Sequence, residues 1–565
     1  MFQSGITKPP RSLRDVALPL AGVLTILGVL AAFTAPRLLP RFYFVHEDGF
    51  VLAALVALLI GFAVRGEPRF AMRLPPLSMT MRNVVIGATL VALLLWAGTY
   101  LVFGNYPLSR DEQMVVFDMQ IFRHGQLAAP LAPEWRRYVE VAPEFLLSLP
   151  QGAAWVSFYM PVNAMLRTLF GLVFDPAALN PALAAAGAVA TFDCARRLFP
   201  GERETQALAV LIYATSAQML VTAMTPYAMT AHLAFNMIWL SFYLRGTRGS
   251  HAAAIAIGFL AIGIHQIVFH PLFALPFIEH LRRRGEWRTA AAYLGCYALF
   301  GLFWISYPHI VALSAGLHSQ SGPAAGSGGF IAERILPLLT QREPLTIPLM
   351  QANLLRFIAW QNLALVPLVI LGWGAIRRRD GIARPLAAGL VLTVVVIGLL
   401  APYQAIGWGY RYLHGLIGSC ALLAAYGWSH YARRAELRAF VAAGTLVTVV
   451  GSIPFLTWQA AAFAAPYARV SRMIDRIDAD LVVIDSEGPA FRIDEVRNRP
   501  DLSNRPIRLA SHMLKPADVV LLCSRGTIAF VDARQMQAFG LGFGEPSNAA
   551  GFEALRRAAP ARCRR

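Results

Sequence analysis

Arg110-Asp111-Glu112 stand together in SRDEQMVVFDMQIFRHGQL, directly after an apolar run at 83–103. Two neighbouring carboxylates at a membrane surface supply a general base and a second group that orients an acceptor or holds a cation. The same residues also fit a helix start, because Ser109 is a good N-cap and acids in a first turn stabilise the helix dipole. Spacing leaves both readings open. His265 and His270 fall between two short apolar runs, where an imidazole is costly enough to suggest function, with a satisfied polar residue inside a helix bundle as the plain alternative. Tyr227 and His232 fall near the outer end of their helix, where they line a cavity or sit at the interface.

The elements that position these residues are membrane helices. Of 565 residues, 57% are hydrophobic and 15% charged, a charge deficit that excludes an ordinary soluble enzyme. The net charge of +18 comes mostly from Arg in short clusters between apolar runs, with no basic run interleaved with stacking aromatics. Nucleic acid is therefore not an expected partner, whereas membrane lipids are. Five cysteines without CxxC spacing support no structural zinc site. The first apolar run lacks a clear small-x-small cleavage site and is read as a retained helix.

Counting runs of about 20 apolar residues gives about thirteen transmembrane helices. A cytoplasmic N-terminus puts Arg196-Arg197, Arg282 to Arg284, Arg377 to Arg379 and Arg433-Arg434 all inside, as the positive-inside rule demands. The expected organisation is N-terminal transmembrane helices over 1–103, a first periplasmic loop over 104–178, a transmembrane bundle over 179–465 with a second periplasmic loop at 309–351, and a periplasmic α/β domain over 466–565. The C-terminus is then periplasmic, in a bacterial inner membrane.

Three stretches carry finer expectations. Trp155 to Phe174 is apolar enough to span, but a span there would reverse every later Arg cluster, so it reads as an amphipathic helix on the outer interface. Residues 251–281 lie between two inside clusters and allow only two helices of about 15 residues, about 22 Å each. Their turn, with Gly263, His265 and Gln266, must sit below the outer interface, covered by protein or lining a wet cavity. The glycine-rich Ser321 to Gly329 is a linker, since no Gly-Lys-Ser/Thr follows it.

In the tail, Asp480 to Asp485 (DLVVID) and Asp518 to Cys523 (DVVLLC) read as buried strands. Gly540 to Gly544 is too weak a pattern for dinucleotide binding. In a periplasmic tail Cys523 and Cys563 would meet an oxidising compartment, with a disulfide and a buried free thiol as the alternatives.

The Asp-Glu pair after an early span, an apolar surface helix ending Leu169-Phe170-Gly171, and Cys194-Ala-Arg-Arg-Leu-Phe-Pro200 closing the next span together resemble the GT-C superfamily of membrane glycosyltransferases. The protein O-mannosyltransferases and the lipid A aminoarabinose transferase are the nearest look-alikes. The resemblance covers about 100–300. It departs from the family in two helices preceding the acidic motif, in Phe158-Tyr159-Met160-Pro161 at the surface helix, and in His265-Gln266 where the family often has Thr-Lys.

The resemblance implies an inverting transfer of a sugar from a polyprenyl-phosphate donor to a lipid, glycan or protein acceptor. Asp111 would be the base with Glu112 as the second catalytic carboxylate. Arg411 and Tyr412, with His265 and His270, would hold the donor phosphate, because a departing phosphate needs positive charge nearby. Arg110, Tyr227, His232 and Gln266 would line the acceptor side. A divalent cation is left open. The rival class is a transporter or flippase for a lipid-linked or polysaccharide precursor. That class should show two pseudo-symmetric halves and ionisable groups at the midplane, and the sequence has no such repeat.

Overall fold

A computed structural model describes residues 13–33, 39–65, 78–141, 146, 154–315, 345–378, 381–431, 435–487, 491–542 and 549–565. The linker at Ser321 to Gly329, most of the second loop, and Arg379, Arg433 and Arg434 lie outside the described residues. Seven described helices are long and apolar enough to cross a membrane: Leu13–Phe33, Leu39–Val64, Met81–Leu101, Pro176–Leu198, Trp287–Ser314, Ala383–Leu400 and Ala435–Ile474. An eighth is available if Arg203–Ala214 and Ala217–Ala223, bent by 54°, act as one.

Beside these seven or eight, four shorter helices stand where the sequence places further transmembrane helices. Met229–Tyr243, Arg248–Ile262, Phe269–Arg283 and Ile417–Tyr431 are helices of 15 residues each, about 22 Å by helical rise. Met229–Tyr243 is buried on nearly every side, which suits an all-round apolar helix at the centre of a bundle. It packs on Leu179–Leu198, which in turn packs on Met81–Leu101.

Other boundaries also differ from the apolar runs, each for a local reason. The run at 352–376 forms Thr346–Ala359, Leu365–Leu371 and Trp373–Arg378, because Asn362 Oδ1 accepts the Ala364 amide at 2.9 Å and starts a new helix. The run at 438–458 belongs to a helix that continues to Ile474 through a π-turn at Thr448–Ser452. Within Trp155 to Phe174 only Val162–Phe170 is helical. Pro161 disfavours a helical Met160 before it, and Ala154–Trp155 instead pairs antiparallel with Ala129–Pro130.

The C-terminal segment holds a parallel three-stranded sheet ordered Ile507–Ala510, Leu481–Ile484, Ile528–Val531, with Leu481 opposite both Ile507 and Ile528. The strand expected over 480–485 is present as Leu481–Ile484. The one expected at 518–523 is not: Pro516–Leu522 is a helix, because Pro516 at its first position and Asp518, accepting the Lys515 amide at 2.9 Å, are helix-start signals that outweigh the apolar run. Cys523 and Cys563 are disulfide-bonded, their Cα atoms 5.6 Å apart.

Candidate active site

The helix Arg110–Arg123 starts with a full capping box. Glu112 Oε2 accepts the Ser109 amide at 2.7 Å and the Ser109 hydroxyl at 3.0 Å, so its carboxylate is spent on the helix end and is 0% exposed. Burial, opposed by those hydrogen bonds, pushes the Glu112 carboxyl up to about 7. Successive residues on a helix point about 100° apart, and Asp111 accordingly faces elsewhere. It accepts hydrogen bonds from the Tyr159 hydroxyl and from the Arg411 guanidinium. Burial opposes its charge, but Arg411, His265 and the Tyr159 hydroxyl together hold the Asp111 carboxyl below the usual carboxylate range.

His265 completes this group. Its ring meets the Tyr159 ring edge-on, centroids 4.4 Å apart, and its buried Nδ1 has no hydrogen-bond partner among the described residues. The turn that carries it is covered by protein, as a non-helical turn in a bundle requires. The Gly263 and His265 carbonyls accept the Val162 and Met160 amides at 3.0 and 3.5 Å. A side chain at Gly263 would drive its Cβ to 2.3 Å from Trp304, so only glycine fits this turn. Gln266, next in the chain, is exposed.

Arg411 arrives on a strap, Pro402 to Tyr410, that has no regular structure of its own and is held through its backbone. Asn353 donates to the Pro402 carbonyl at 2.7 Å, Tyr227 to Ile406 at 3.1 Å, Arg356 to Gly407 at 2.9 Å, and Gln218 to Tyr410 at 2.8 Å. The Arg411 amide donates to Gln404 Oε1 at 3.0 Å. Gly409 has φ +67°, and a Cβ there would meet Gln218 at 2.5 Å, which restricts the position to glycine.

The strap's main anchor, Arg356, is 2% exposed. It is neutralised by Glu47 at 2.9 Å and Asp48 at 3.0 Å and covered by the Tyr43 ring at 3.7 Å. Trp360 Nε1 donates to Asp48 at 2.9 Å. This cluster, like Tyr159, was absent from the sequence-derived site. Its available signal was the charge itself: an Arg inside the apolar LLRFIAW and an acid pair before an apolar run.

The remaining sequence candidates divide between several places. Tyr412 stacks on Phe269 with centroids 5.8 Å apart, and a small cleft is lined by His232, Phe269, Arg411 and Tyr412. Both ring nitrogens of His232 are buried without hydrogen bonds among the described residues. His270 belongs to the bundle: it donates from Nδ1 to Asn236 Oδ1 at 2.8 Å, and its Nε2 accepts from the Tyr297 hydroxyl at 2.9 Å. Tyr227 braces the strap, as above. Arg110 turns to the C-terminal segment, donating to the Val496 carbonyl at 2.9 Å and pairing with Asp494 at 3.5 Å.

That contact is one of several clamping the C-terminal segment onto the Asp111 helix. Gln113 donates to the Asp494 carbonyl at 2.7 Å, Arg497 to Leu108 at 3.0 Å, and Trp155 Nε1 to Pro500 at 2.8 Å. Among the described residues no three His, Cys, Asp or Glu side chains gather to hold a metal ion.

No family model matches the chain, and no curated relative does. Among solved structures, ArnT from Cupriavidus metallidurans bound to undecaprenyl phosphate is similar at 14% identity and a TM-score of 0.48, covering 81% of this chain and 87% of that one. The apo state of ArnT from the same organism has a TM-score of 0.43 at the same identity and coverage. At this identity and TM-score the likeness assigns no activity.

Proposed function

We propose that this chain is an integral membrane glycosyltransferase that moves a sugar from a polyprenyl-phosphate donor to a lipid, glycan or protein acceptor, with inversion, at the periplasmic face of a bacterial inner membrane. The observation that carries the reading is the meeting of Asp111 and Arg411, 300 residues apart in the chain, with side chains 12% and 13% exposed. A carboxylate and a guanidinium held side by side are the base and the phosphate clamp that this chemistry needs.

In this scheme the acceptor hydroxyl attacks the anomeric carbon from the face opposite the phosphate. The new C–O bond forms as the bond from the anomeric carbon to the phosphate oxygen breaks. The proton passes to Asp111, and the electron pair stays on the phosphate, whose charge Arg411 balances. Donor binding also prepares the base. As the phosphate takes the guanidinium, Asp111 loses its cation and its proton affinity rises, the direction a base requires. His265 stands ready as a further donor to the phosphate, and Tyr412 frames the approach.

The organisation that fits this reading keeps 1–103 as N-terminal helices, 104–178 as the catalytic outer loop, 179–465 as the bundle and 466–565 as a periplasmic domain. The Cys523–Cys563 disulfide supports an oxidising compartment for the tail. The test is mass spectrometry of lipid-linked sugars and surface glycans in cells with the chain, without it, and with Asp111→Asn. One glycan should lose a sugar in the last two, while the lipid-linked donor persists. A glycan profile unchanged by deletion would overturn the assignment. Donor trapped on the cytoplasmic side would instead favour a flippase.

A further inference from the structure

A large cavity lies at the other end of the bundle from Asp111 and Arg411. It is a trough of about 760 Å³ between Phe269–Arg283 and Ala383–Leu400. Phe269 borders the cleft of Arg411, and Arg283 is 14 residues further along the same helix, about 21 Å by helical rise.

The trough is built in two chemically distinct halves. Its mouth carries three guanidinium groups, Arg283, Arg284 and Arg384, against one carboxylate, Glu279. Glu279 is taken by Arg282 and Arg283, each at 2.6 Å, and Arg284 pairs with Glu286 at 3.2 Å. Arg384, on the facing helix, has no ion pair among the described residues. The rest of the trough is apolar, with Leu275, Val391 and Val395 42%, 61% and 52% exposed. Pro276 and Pro385 lie in the wall; Pro276, inside its helix, removes a backbone hydrogen bond and loosens close packing, while Pro385 sits in the first turn of its own.

A basic mouth over an apolar trough matches one class of ligand, an amphiphile with an anionic head and a hydrocarbon chain. Basic pockets between membrane helices on the side marked by Arg clusters take anionic lipid headgroups, because that leaflet carries the anionic lipids. We propose that this trough is a binding site for an anionic glycerophospholipid, its phosphate held by Arg384 and Arg283 and one acyl chain lying along Val391 and Val395. The site is separate from the proposed catalytic group and does not depend on the activity assigned to it.

Native mass spectrometry of the purified full chain, exchanged into detergent with phosphatidylglycerol or phosphatidylcholine of identical acyl chains, tests the site. Phosphatidylglycerol should be retained in preference. Each guanidinium near a headgroup is worth about fivefold in binding, so Arg384→Ala should lower its retention about fivefold and the Arg283→Ala, Arg384→Ala double variant roughly 25-fold. Arg384→Lys should recover part of the loss. Val391→Trp, which fills the trough and changes no charge, should also release the lipid. Arg196→Ala, an exposed Arg outside the trough, should leave retention unchanged. Equal retention of the two lipids, no change in Arg384→Ala, or an equal loss in Arg196→Ala would each overturn the proposal.

Discussion

Asp118 holds Ser157: its carboxylate accepts the Ser157 amide at 2.9 Å and the Ser157 hydroxyl as well. Ser157 Oγ in turn accepts the Tyr159 amide at 3.2 Å, and the Tyr159 hydroxyl reaches Asp111. Asp118 and Asp111 lie two turns apart on one helix, so that helix supplies the proposed base and fixes the segment that touches it. Asp118→Ala leaves two buried donors unsatisfied, at about 1–3 kcal/mol each. Turnover should fall while donor affinity is largely kept, and Tyr159→Phe should add little further loss in the Asp118→Ala background. Steady-state kinetics of the two single variants and the double variant check this.

Asp111→Asn should lower turnover by about 10² to 10⁴, the usual contribution of a general base, with donor binding intact. Arg411→Ala should weaken donor binding as well, since a charge-assisted phosphate contact is lost. Glu112→Gln should behave as a helix-cap change, costing about 0.5–2 kcal/mol of stability with turnover near normal. A large turnover loss in Glu112→Gln beside a normal Asp111→Asn would shift the base by one residue.

Stability should depend on pH through Glu112 and Asp118. Burial, only partly offset by Ser109 and Ser157, pushes both carboxyls up to about 7. Between their ordinary values near pH 4 and pH 7, the unfolded chain has released these protons and the folded chain keeps them. Folding is therefore favoured at the acid end, and the contribution is lost as pH rises to 7, by at most about 1.4 kcal/mol per pH unit for each carboxyl. Thermal unfolding in detergent between pH 5 and pH 8 should show the decline, and Glu112→Gln should flatten its own share of it.

Arg356→Ala should destabilise the chain by about 3–5 kcal/mol, because Glu47 and Asp48 would stay buried without their cation. Adding Glu47→Gln and Asp48→Asn should recover much of that stability. It should not recover binding of a polyprenyl phosphate, because the Gly407 carbonyl of the strap still lacks the Arg356 donor. Melting curves and lipid-phosphate binding on the same samples separate the two effects.

The tail makes a compartment prediction. A phosphatase fused after residue 565 should be active, and alkylation of the denatured chain without reductant should leave Cys523 and Cys563 unlabelled. Their bond closes a loop of 40 residues, so Cys563→Ser should cost roughly 4 kcal/mol on the chain-entropy account.

The sequence by itself determined the class of structure, because hydropathy and Arg placement are local quantities that a bilayer reads directly. It also determined the short helix pair at 248–283, whose length follows from the spacing of two basic clusters, and the start of the Asp111 helix, since a capping box lies within four residues. Helix breaks were less legible. The apolar run at 352–376 gives no warning that the Asn362 side chain turns the backbone just ahead of a new helix, and the run at 518–523 hides Pro516 and Asp518 behind its valines and leucines.

Only the tertiary structure decided which charged residues meet. Asp111 and Arg411 are 300 residues apart, and Arg356 and Asp48 are 308 apart; no periodicity encodes such pairs. Burial selects them: an ion removed from water must find its counter-ion or hydrogen-bond partners wherever the packing brings them. The same rule separated Asp111 from Glu112, adjacent in the chain and chemically alike. Glu112 closes its own helix, while Asp111 faces the Tyr159 hydroxyl and the guanidinium carried in on the strap.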